Sequence, residues 1–371
     1  MVQIRNAGAR EFTDLIQNKK LYLFGAGKLA ENCVDIYCRN KKVEAVLDNN
    51  EKLWGIKKQF FDQELLIIDV NTFVERLAGQ SLQDIVLLIA PSFYASDIIR
   101  QLDNIPKLDG LDCYIHAVIR NTKEVVPEYS FTKGEPKIPK KIHYFWVGGN
   151  PIPEPLQRCI DSWKLYNSDY EILRWDESNY DFSVNPYMRE AYEQEAWGFV
   201  PDYARLDIIY RYGGIYLDTD VEVIRNLDAL LCDEAFFGMG SADRIGIGVG
   251  FGAVAGNELI RELRDYYHDK HFVNVDGTKN RVPCYYYQHP IFERYGFRIL
   301  NEYQKIRGAV VYPPEVMSPR GTGGLGDFFS EKTVSIHHGA GTWNNSQETG
   351  GAQELGRLLE QRLPGVIRNR K

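Results

Sequence analysis

The sequence predicts an α/β protein with two domains, and three features of the chain lead to this fold class. In the first third, short apolar runs alternate with segments of helical periodicity, which is typical of a parallel sheet with right-handed crossovers. A charged segment with three prolines, residues 126–140, then indicates an interdomain linker. A second series of apolar and aromatic strands follows. The length of 371 residues is sufficient for two domains of ordinary size.

The first domain, residues 1–125, is expected to be Rossmann-like, with buried strands at residues 21–24, 43–47, 65–70, 85–90 and 113–119. Gly25 and Gly27 begin a G-x-G-x-x-A turn from the first strand into a helix. Asp48 ends the second strand, where dinucleotide-binding folds place a ribose-binding acid. These three residues form a candidate nucleotide site. The alternative is a tight strand–helix turn that needs glycine for conformational reasons alone.

Composition excludes several classes of protein. Hydrophobic residues make up 44% of the chain, which fits globular folding and argues against disorder. The net charge of −7 gives no general attraction to nucleic acid. Residues 1–20 lack the apolar core of a signal peptide, and no apolar run approaches the roughly 20 residues of a membrane span. The six scattered cysteines favour reduced thiols. We therefore expect a cytoplasmic protein that does not bind nucleic acid.

The most informative stretch is residues 199–223, where a helix, a sharp stop and a buried strand follow one another. Pro201 and Asp202 suit the first turn of a helix, and the two glycines after Tyr212 suit its end. An apolar run then leads into Asp218 and Asp220. Alternate residues of a strand point to the same face, so these two acids are expected to project together.

The residue types in this stretch favour a metal site beside a sugar. Two convergent carboxylates repel each other unless a cation lies between them, and oxygen ligands suit Mg²⁺ or Mn²⁺. Asp202 and Arg205 share one helix face and together can bind sugar hydroxyls. The simpler alternatives are a chance occurrence of Asp-x-Asp and an ordinary ion pair between Asp202 and Arg205.

Two further strands carry candidate ligand-binding residues. Trp146 lies near the end of the strand in residues 141–149, where an indole can stack on a nucleobase or fill the core. In the segment 331–343, alternation predicts that His337 faces away from the apolar side and is a third metal ligand. His338 is then expected to point toward the core, although the sequence does not decide between the two histidines as ligand.

Over roughly residues 138–345 the chain resembles glycosyltransferase family 32 and is similar to the glucosylating domains of large clostridial toxins. The resemblance rests on His143 to Gly149, on the Asp202-x-x-Arg205 and Asp218-x-Asp220 pair, and on the segment ending at Trp343. It implies a GT-A fold for residues 141–345, a divalent metal, a nucleotide-linked donor and retention of anomeric configuration. It further implies that Trp146 stacks on uracil.

The same resemblance gives roles to three more residues. Thr342 and Trp343 would belong to a mobile loop that reaches the donor diphosphate, and Tyr216 would line the sugar pocket. The segment 284–290 departs from the Gly-Pro turn of most relatives, which leaves the acceptor contacts undetermined.

The function expected from these features is a metal-dependent, retaining hexosyltransferase. Its donor would be a UDP-sugar, and its acceptor a hydroxyl of a saccharide or a lipid-linked glycan in capsule or exopolysaccharide synthesis. The alternatives are an NAD(P)-linked Rossmann oxidoreductase acting on a sugar nucleotide and a non-catalytic nucleotide-sugar-binding module. The tail, residues 346–371, is predicted to be a helix that packs on the protein or touches the inner face of a membrane through Arg368, Arg370 and Lys371.

Overall fold

The computed structural model of the protein describes residues 1–122, 128–241, 244–321, 327–339 and 349–363. The chain divides into two compact units. The first unit contains residues 1–125, 321–327 and 345–371, and the second contains residues 126–320 and 328–344. Both units combine helices with β-sheets, in agreement with the α/β class expected from the sequence.

The first unit is built on a seven-stranded sheet in the order β1-β7-β6-β2-β3-β5-β4, in which only the β4–β5 pair is antiparallel. Its strands are β1 (Gln3–Ile4), β2 (Lys20–Phe24), β3 (Val43–Leu47), β4 (Lys57–Phe60), β5 (Gln63–Ile68), β6 (Ile85–Ile89) and β7 (Asp112–Ile115). Its first five helices are α1 (Ala9–Ile16), α2 (Lys28–Tyr37), α3 (Val70–Arg76), α4 (Ala95–Asp103) and α5 (His116–Arg120).

The prediction of a strand over residues 113–119 is wrong for the second half of that segment. The apolar run 113–119 is a strand only as far as Ile115, after which the chain forms α5. A continuous apolar run does not by itself distinguish a buried strand from a buried helix. His116, at the start of α5, is fully buried and shares a 3.0 Å hydrogen bond with the Tyr37 hydroxyl.

The second unit is built on an eight-stranded mixed sheet in the order β15-β16-β12-β14-β10-β8-β9, with β13 paired to β12, and on a separate β11–β17 pair. Its strands are β8 (Lys141–Phe145), β9 (Glu171–Trp175), β10 (Gly214–Tyr216), β11 (Val221–Val223), β12 (Ala235–Ser241), β13 (Arg244–Ile245), β14 (Phe251–Ala253), β15 (Gln304–Ile306), β16 (Ala309–Tyr312) and β17 (Ser335–His337). Its helices are α6 (Glu154–Tyr166), α7 (Pro186–Glu193), α8 (Pro201–Tyr212), α9 (Glu258–Asp265), α10 (Cys284–Arg294) and α11 (Pro314–Met317).

The last described helix, α12 (Thr349–Arg362), belongs to the first unit. Leu355 and Leu359 of α12 enter the hydrophobic core of that unit, and Arg362 Nη1 lies 2.6 Å from the Asp103 carboxylate. The apolar side of the tail is therefore covered by protein. The basic residues Arg368, Arg370 and Lys371, for which membrane contact was considered, lie outside the described residues. Among the helices that the structure describes, none has the length and apolar character needed to cross a bilayer.

Helix α8 and strand β10 are joined by a close approach of the backbone. Gly213 and Gly214 have φ angles of +63° and +110°, a region that side chains disfavour. A Cβ at Gly214 would also lie 2.9 Å from the His143 imidazole. This packing lets α8 turn directly into β10, which pairs in parallel with β8.

His143 of β8 supports this junction as a neutral side chain. It is fully buried, its Nε2 lies 2.9 Å from the Gly213 carbonyl oxygen, and its Nδ1 accepts a hydrogen bond of 3.1 Å from Trp175 Nε1. Because Nδ1 is the acceptor, Nε2 carries the proton and donates to Gly213. Burial lowers the pKa of His143 to about 4.

We expect His143 to make the second unit sensitive to acid. The unfolded chain takes up the His143 proton near pH 6.5, whereas the folded chain does so only near pH 4. This contribution to stability is complete above the unfolded pKa and is lost as pH falls through the folded pKa. The difference in unfolding free energy between wild type and His143→Gln should therefore fall by about 3 kcal/mol between about pH 7.5 and pH 4.

Urea unfolding followed by tryptophan fluorescence measures this difference, because five of the six tryptophans belong to the second unit. His268→Gln is the matched control, since the His268 side chain is 60% exposed in the same unit. An equal pH dependence for His143→Gln and wild type would contradict a buried neutral imidazole.

Candidate active site

The two acids of the Asp-x-Asp motif lie in a turn between β10 and β11. Strand β10 ends at Tyr216, the Asp218 N–H donates to the Gly248 carbonyl at 3.2 Å, and the Val221 N–H donates back to the Asp218 carbonyl at 3.0 Å. The sequence-based expectation of strand alternation through both acids is therefore wrong. Their side chains nevertheless converge, because the turn closes on Asp218.

His337 joins the two acids through the β11–β17 pair. In this antiparallel pair Val221 lies opposite His337, and the His337 Nε2 is 3.4 Å from Asp220 Oδ1. One ligand atom from each of Asp218, Asp220 and His337 can be chosen so that all three lie within 4.8 Å of one another. Two carboxylate oxygens and one imidazole nitrogen are a ligand set suited to Mn²⁺.

His338 has a different environment. Its Nε2 lies 2.9 Å from the Glu222 carboxylate at the surface, so the expectation that His338 points toward the core is wrong. The two histidines therefore differ in their neighbours: His337 lies beside the Asp-x-Asp turn, whereas His338 pairs with an exposed acid.

The electrostatics of the cluster favour a cation. Burial raises the pKa of Asp218 against the lowering effect of Arg205, and the charge of Asp220 raises it further. Burial alone would lower the pKa of His337, but the hydrogen bond and charge of Asp220 together with the charge of Asp218 raise it above the usual value. Both shifts follow from negative charge concentrated in a partly dehydrated place.

Arg205 connects this cluster to the start of α8. Its Nε donates to the Pro201 carbonyl at 3.0 Å, its Nη2 lies 2.8 Å from Asp202 Oδ1, and its Nη1 lies 3.3 Å from Asp218 Oδ1. Its guanidinium carbon is 5.1 Å from the centre of the Tyr216 ring. Arg205 and Asp202 are each only 4% exposed. Burial raises the pKa of Asp202 to about 7 against the opposing charge of Arg205.

Gly248 lets the backbone approach the cluster of Asp218, Asp220 and His337, and it was not identified from the sequence. A Cβ at this position would lie 2.1 Å from Asp218 Oδ2 and 3.3 Å from Arg205 Nη1. Gly248 belongs to the glycine-rich segment 246–250. The strand there, β14, spans only Phe251–Ala253. The repeated glycines were the available signal for close backbone approach.

A cavity of about 540 Å³ opens beside the cluster. It is lined by polar and aromatic residues that include Trp146, Asn150, Trp197, Arg205, Tyr216, Asp218, Asp220 and Arg281. Trp146 donates its Nε1 proton to the Asn150 carbonyl at 2.6 Å, so the indole contributes to the cavity through its ring. Trp197 and Arg281 were not identified from the sequence. Thr342 and Trp343 lie outside the described residues.

The candidate nucleotide turn of the first unit is fixed by contacts with residues at the ends of neighbouring strands. The Gly25 N–H donates to the Leu47 carbonyl, and a Cβ at Gly25 would lie 2.7 Å from the Pro91 ring. Asp48 Oδ2 accepts a hydrogen bond of 2.6 Å from the Ala26 N–H. Gly27 precedes α2 and has open space around it. Asp48 thus has a structural function in the turn, and nucleotide binding there stays a prediction.

Comparison with protein families supports the sequence resemblance for part of the second unit. Residues 153–237 match the family described as the glycosyltransferase sugar-binding region containing a DXD motif. The matched residues include Asp202, Arg205, Asp218 and Asp220. The resemblance to DXD-containing glycosyltransferases is therefore confirmed over this stretch.

Individual relatives match the chain only in part. Inositol phosphoceramide mannosyltransferase 3 of Schizosaccharomyces pombe is 40% identical over 102 residues, which are 25% of this chain and 27% of the relative. Subversion of eukaryotic traffic protein A of Legionella pneumophila is 28% identical over 114 residues, which are 24% of this chain and 18% of the relative.

Solved structures were compared as well. A glycosyltransferase involved in the glycosylation of the major capsid of PBCV-1 has 12% identity and a TM-score of 0.30, and the match covers 58% of this chain and 98% of that one. PaToxG glycosyltransferase has 17% identity and a TM-score of 0.29, with 36% and 60% coverage. TM-scores this low support no inference about the present chain.

We expect Gly248→Ala to weaken metal binding without unfolding the second unit. The new methyl group would occupy the place of Asp218 Oδ2, so the carboxylate must rotate away from the other ligands. The affinity for Mn²⁺ should fall by at least about tenfold, since loss of one charged contact is worth about 1.5–3 kcal/mol. Titration of free Mn²⁺ followed by electron paramagnetic resonance measures this affinity.

Gly240→Ala is the matched control for this substitution. Its Cβ would lie 3.1 Å from a methyl group of Val249, which can move aside, and at an ordinary contact distance of 3.8 Å from the Gly246 Cα. This variant should bind Mn²⁺ like the wild type. Equal affinities for the Gly248→Ala variant and the wild type would show that Asp218 does not contribute to the metal site.

Proposed function

Because residues 153–237 carry the DXD-containing sugar-binding region of glycosyltransferases, we propose that the protein is a metal-dependent glycosyltransferase that uses a nucleotide-sugar donor. One observation carries this proposal. Asp218, Asp220 and His337 bring two oxygens and a nitrogen together, and both acids line a cavity that is also lined by Arg205 and Tyr216. A diphosphate bound to the metal would thus lie next to a sugar bound at Arg205 and Tyr216.

Asp218, Asp220 and His337 are the residues that would hold the metal. The clustered carboxylates fit a divalent cation because it relieves their repulsion, and the imidazole favours Mn²⁺ over Mg²⁺. When bound, the ion supplies positive charge beside the leaving diphosphate. We assign to Thr342 and Trp343 hydrogen bonds to the same diphosphate, which gain strength as negative charge develops there.

Other residues in and beside the cavity would bind the donor. A base stacked on the Trp146 ring needs no hydrogen bond from the indole, whose N–H is already used by Asn150. Uracil is the base we propose. Asp202 and Arg205 would orient a hexose through its hydroxyls, the acid accepting hydrogen bonds and the guanidinium donating them. The relatives named as mannosyltransferases make mannose one of the sugars to test.

We propose that the anomeric configuration is retained because the acceptor hydroxyl attacks the donor sugar from the face that the diphosphate leaves. Among the described residues, three acids line the cavity: Asp218 and Asp220 are assigned to the metal, and Glu195 is exposed to water. Asp202 lies behind the lining residue Arg205 and is engaged by it. We therefore assign none of these acids the role of an enzymic nucleophile. The acceptor we propose is a saccharide or a lipid-linked glycan of capsule or exopolysaccharide synthesis, glycosylated in the cytoplasm or at the inner face of the membrane.

The metal requirement is tested with Asp220→Asn. Removal of one ligand charge should reduce Mn²⁺-dependent hydrolysis of a UDP- or GDP-sugar by at least about 10²-fold, while the melting temperature stays near that of the wild type. The measurement is nucleotide release from a panel of UDP- and GDP-sugars, with Mn²⁺ and with EDTA.

Glu222→Gln is the matched control, because Glu222 is two residues away and its exposed carboxylate pairs with His338. This control should hydrolyse donor at the wild-type rate. Full activity of the wild type in EDTA would contradict the metal role. Binding of NAD(H) without any binding of sugar nucleotides would favour an oxidoreductase, and donor binding without turnover would favour a non-catalytic module.

The sugar-orienting role is tested with Asp202→Asn. The amide keeps the shape of the carboxylate but loses an acceptor and the charge that faces Arg205. We expect sugar transfer to fall by about 10–100-fold, the effect of losing a hydrogen bond to a charged group. The affinity for Mn²⁺ should change less than about threefold, since Asp202 is not assigned to the metal.

Steady-state kinetics with the best donor measures the first quantity, and Mn²⁺ titration measures the second. A parallel loss of metal binding and turnover in Asp202→Asn would mean that Asp202 acts only by holding Arg205 and Asp218 in place.

A further inference from the structure

Arg244 of β13 is a buried cation for which the described part of the chain supplies no anionic partner. It is 8% exposed, and its guanidinium carbon lies 5.2 Å and 4.9 Å from the ring centres of Tyr285 and Tyr286. Within the residues that the structure describes, no carboxylate forms an ion pair with Arg244. Arg205 and Arg264, the other arginines of this unit with largely buried side chains, each pair with two aspartates.

An unpaired arginine in this position is unusual on physical grounds. Buried charges in proteins are normally paired or hydrogen-bonded, and stacking on tyrosine offsets only part of the desolvation cost. Arg244 keeps 8% of its surface accessible to solvent. A planar guanidinium that packs against two neighbouring tyrosine rings is pre-organised for bidentate binding of a carboxylate or a phosphate.

The position of Arg244 connects it with the proposed active site from two sides. Tyr285 directly follows Cys284, whose thiol adjoins the Asp202 carboxylate. On the other side, Gly248 lies against Asp218, and four residues of chain can span at most about 14 Å between Arg244 and Gly248. Arg244 also lies beside the first turn of α10, where Pro283 supplies no side-chain cap and the helix dipole favours an anion.

We propose that Arg244, with Tyr285 and Tyr286, binds an oxyanion carried by the acceptor, so that the acceptor is an acidic saccharide with a carboxylate or a phosphate. This inference rests on the proposed function, because it treats the neighbouring cavity as the donor site. The guanidinium holds the oxyanion, and the acceptor hydroxyl is thereby placed toward the sugar bound at Asp202 and Arg205.

Calorimetric titration with simple acidic sugars tests the oxyanion site. D-glucuronate and D-glucose 6-phosphate are titrated into the full chain in EDTA, with D-glucose as the neutral ligand of the same size. We expect millimolar binding of both acidic sugars and none of glucose. Arg244→Gln should weaken binding by at least about tenfold, the effect of losing hydrogen bonds to a charged group. Arg244→Lys should be intermediate because it keeps only a point charge.

The control variant is Arg261→Gln, which removes one positive charge from an arginine of the same unit whose side chain is 50% exposed. It should bind the acidic sugars within about twofold of wild type, since exposed charges contribute little. A melting curve separates function from structure. If Arg244 stabilised the fold, its replacement would lower the melting temperature of the protein. A buried charge without a partner destabilises the folded state, so we expect Arg244→Gln to melt no lower than the wild type.

A second titration, in Mn²⁺ and saturating UDP, identifies the source of the oxyanion. Binding of glucuronate that persists under these conditions supports an acceptor site beside an occupied donor site. Competition by UDP would place the oxyanion on the donor and overturn the proposal, as would equal binding by wild type and Arg244→Gln or no binding by wild type. The EDTA titration needs neither metal nor donor, so it stays informative even if UDP-sugars do not bind and the proposed function fails.

Discussion

The arrangement of the second unit depends on the guanidinium of Arg205, which lies between the carboxylates of Asp202 and Asp218. A buried arginine without these acids, or the acids without the arginine, would leave charge in a dehydrated place at a cost of several kcal/mol. The pairing therefore fixes the first turn of α8 relative to the Asp-x-Asp turn. As a result, the residues assigned to the sugar and those assigned to the metal are held in place by the same arginine.

Uncharged contacts hold this ionic group in position. His143, neutral and fully buried, bonds to the Gly213 carbonyl at the junction of α8 and β10. Trp163 of α6 donates its Nε1 proton to the Val221 carbonyl at 2.7 Å, immediately after the turn. Both side chains satisfy backbone carbonyls that have no partner in a regular helix or ladder there. The segment from the junction of α8 and β10 to the start of β11 is thus fixed at each end by a buried ring.

The sequence predicts the parts of the site that are set by local periodicity, but not those set by contacts between distant segments. Helix α8 and strand β10 follow from Pro201, the apolar spacing and the paired glycines. The convergence of the two acids was expected for the wrong reason, since a turn rather than strand alternation brings them together. Gly248 and Arg244 were not predicted as site residues. Their roles arise from where β13 and the following glycine loop pass, which no local pattern specifies.

His337, the third proposed metal ligand, belongs to the two-stranded sheet and not to the eight-stranded one. Its position therefore affects the stability of the β11–β17 pair. His337 reaches Asp220 through the two-stranded β11–β17 pair, whose strand β11 is anchored in the core by the fully buried Val221 and Val223. A ligand that binds only when both strands are in register stabilises that register by mass action. A cation held by Asp218, Asp220 and His337 would therefore be thermodynamically linked to the pairing of β17, and each would favour the other to the same extent.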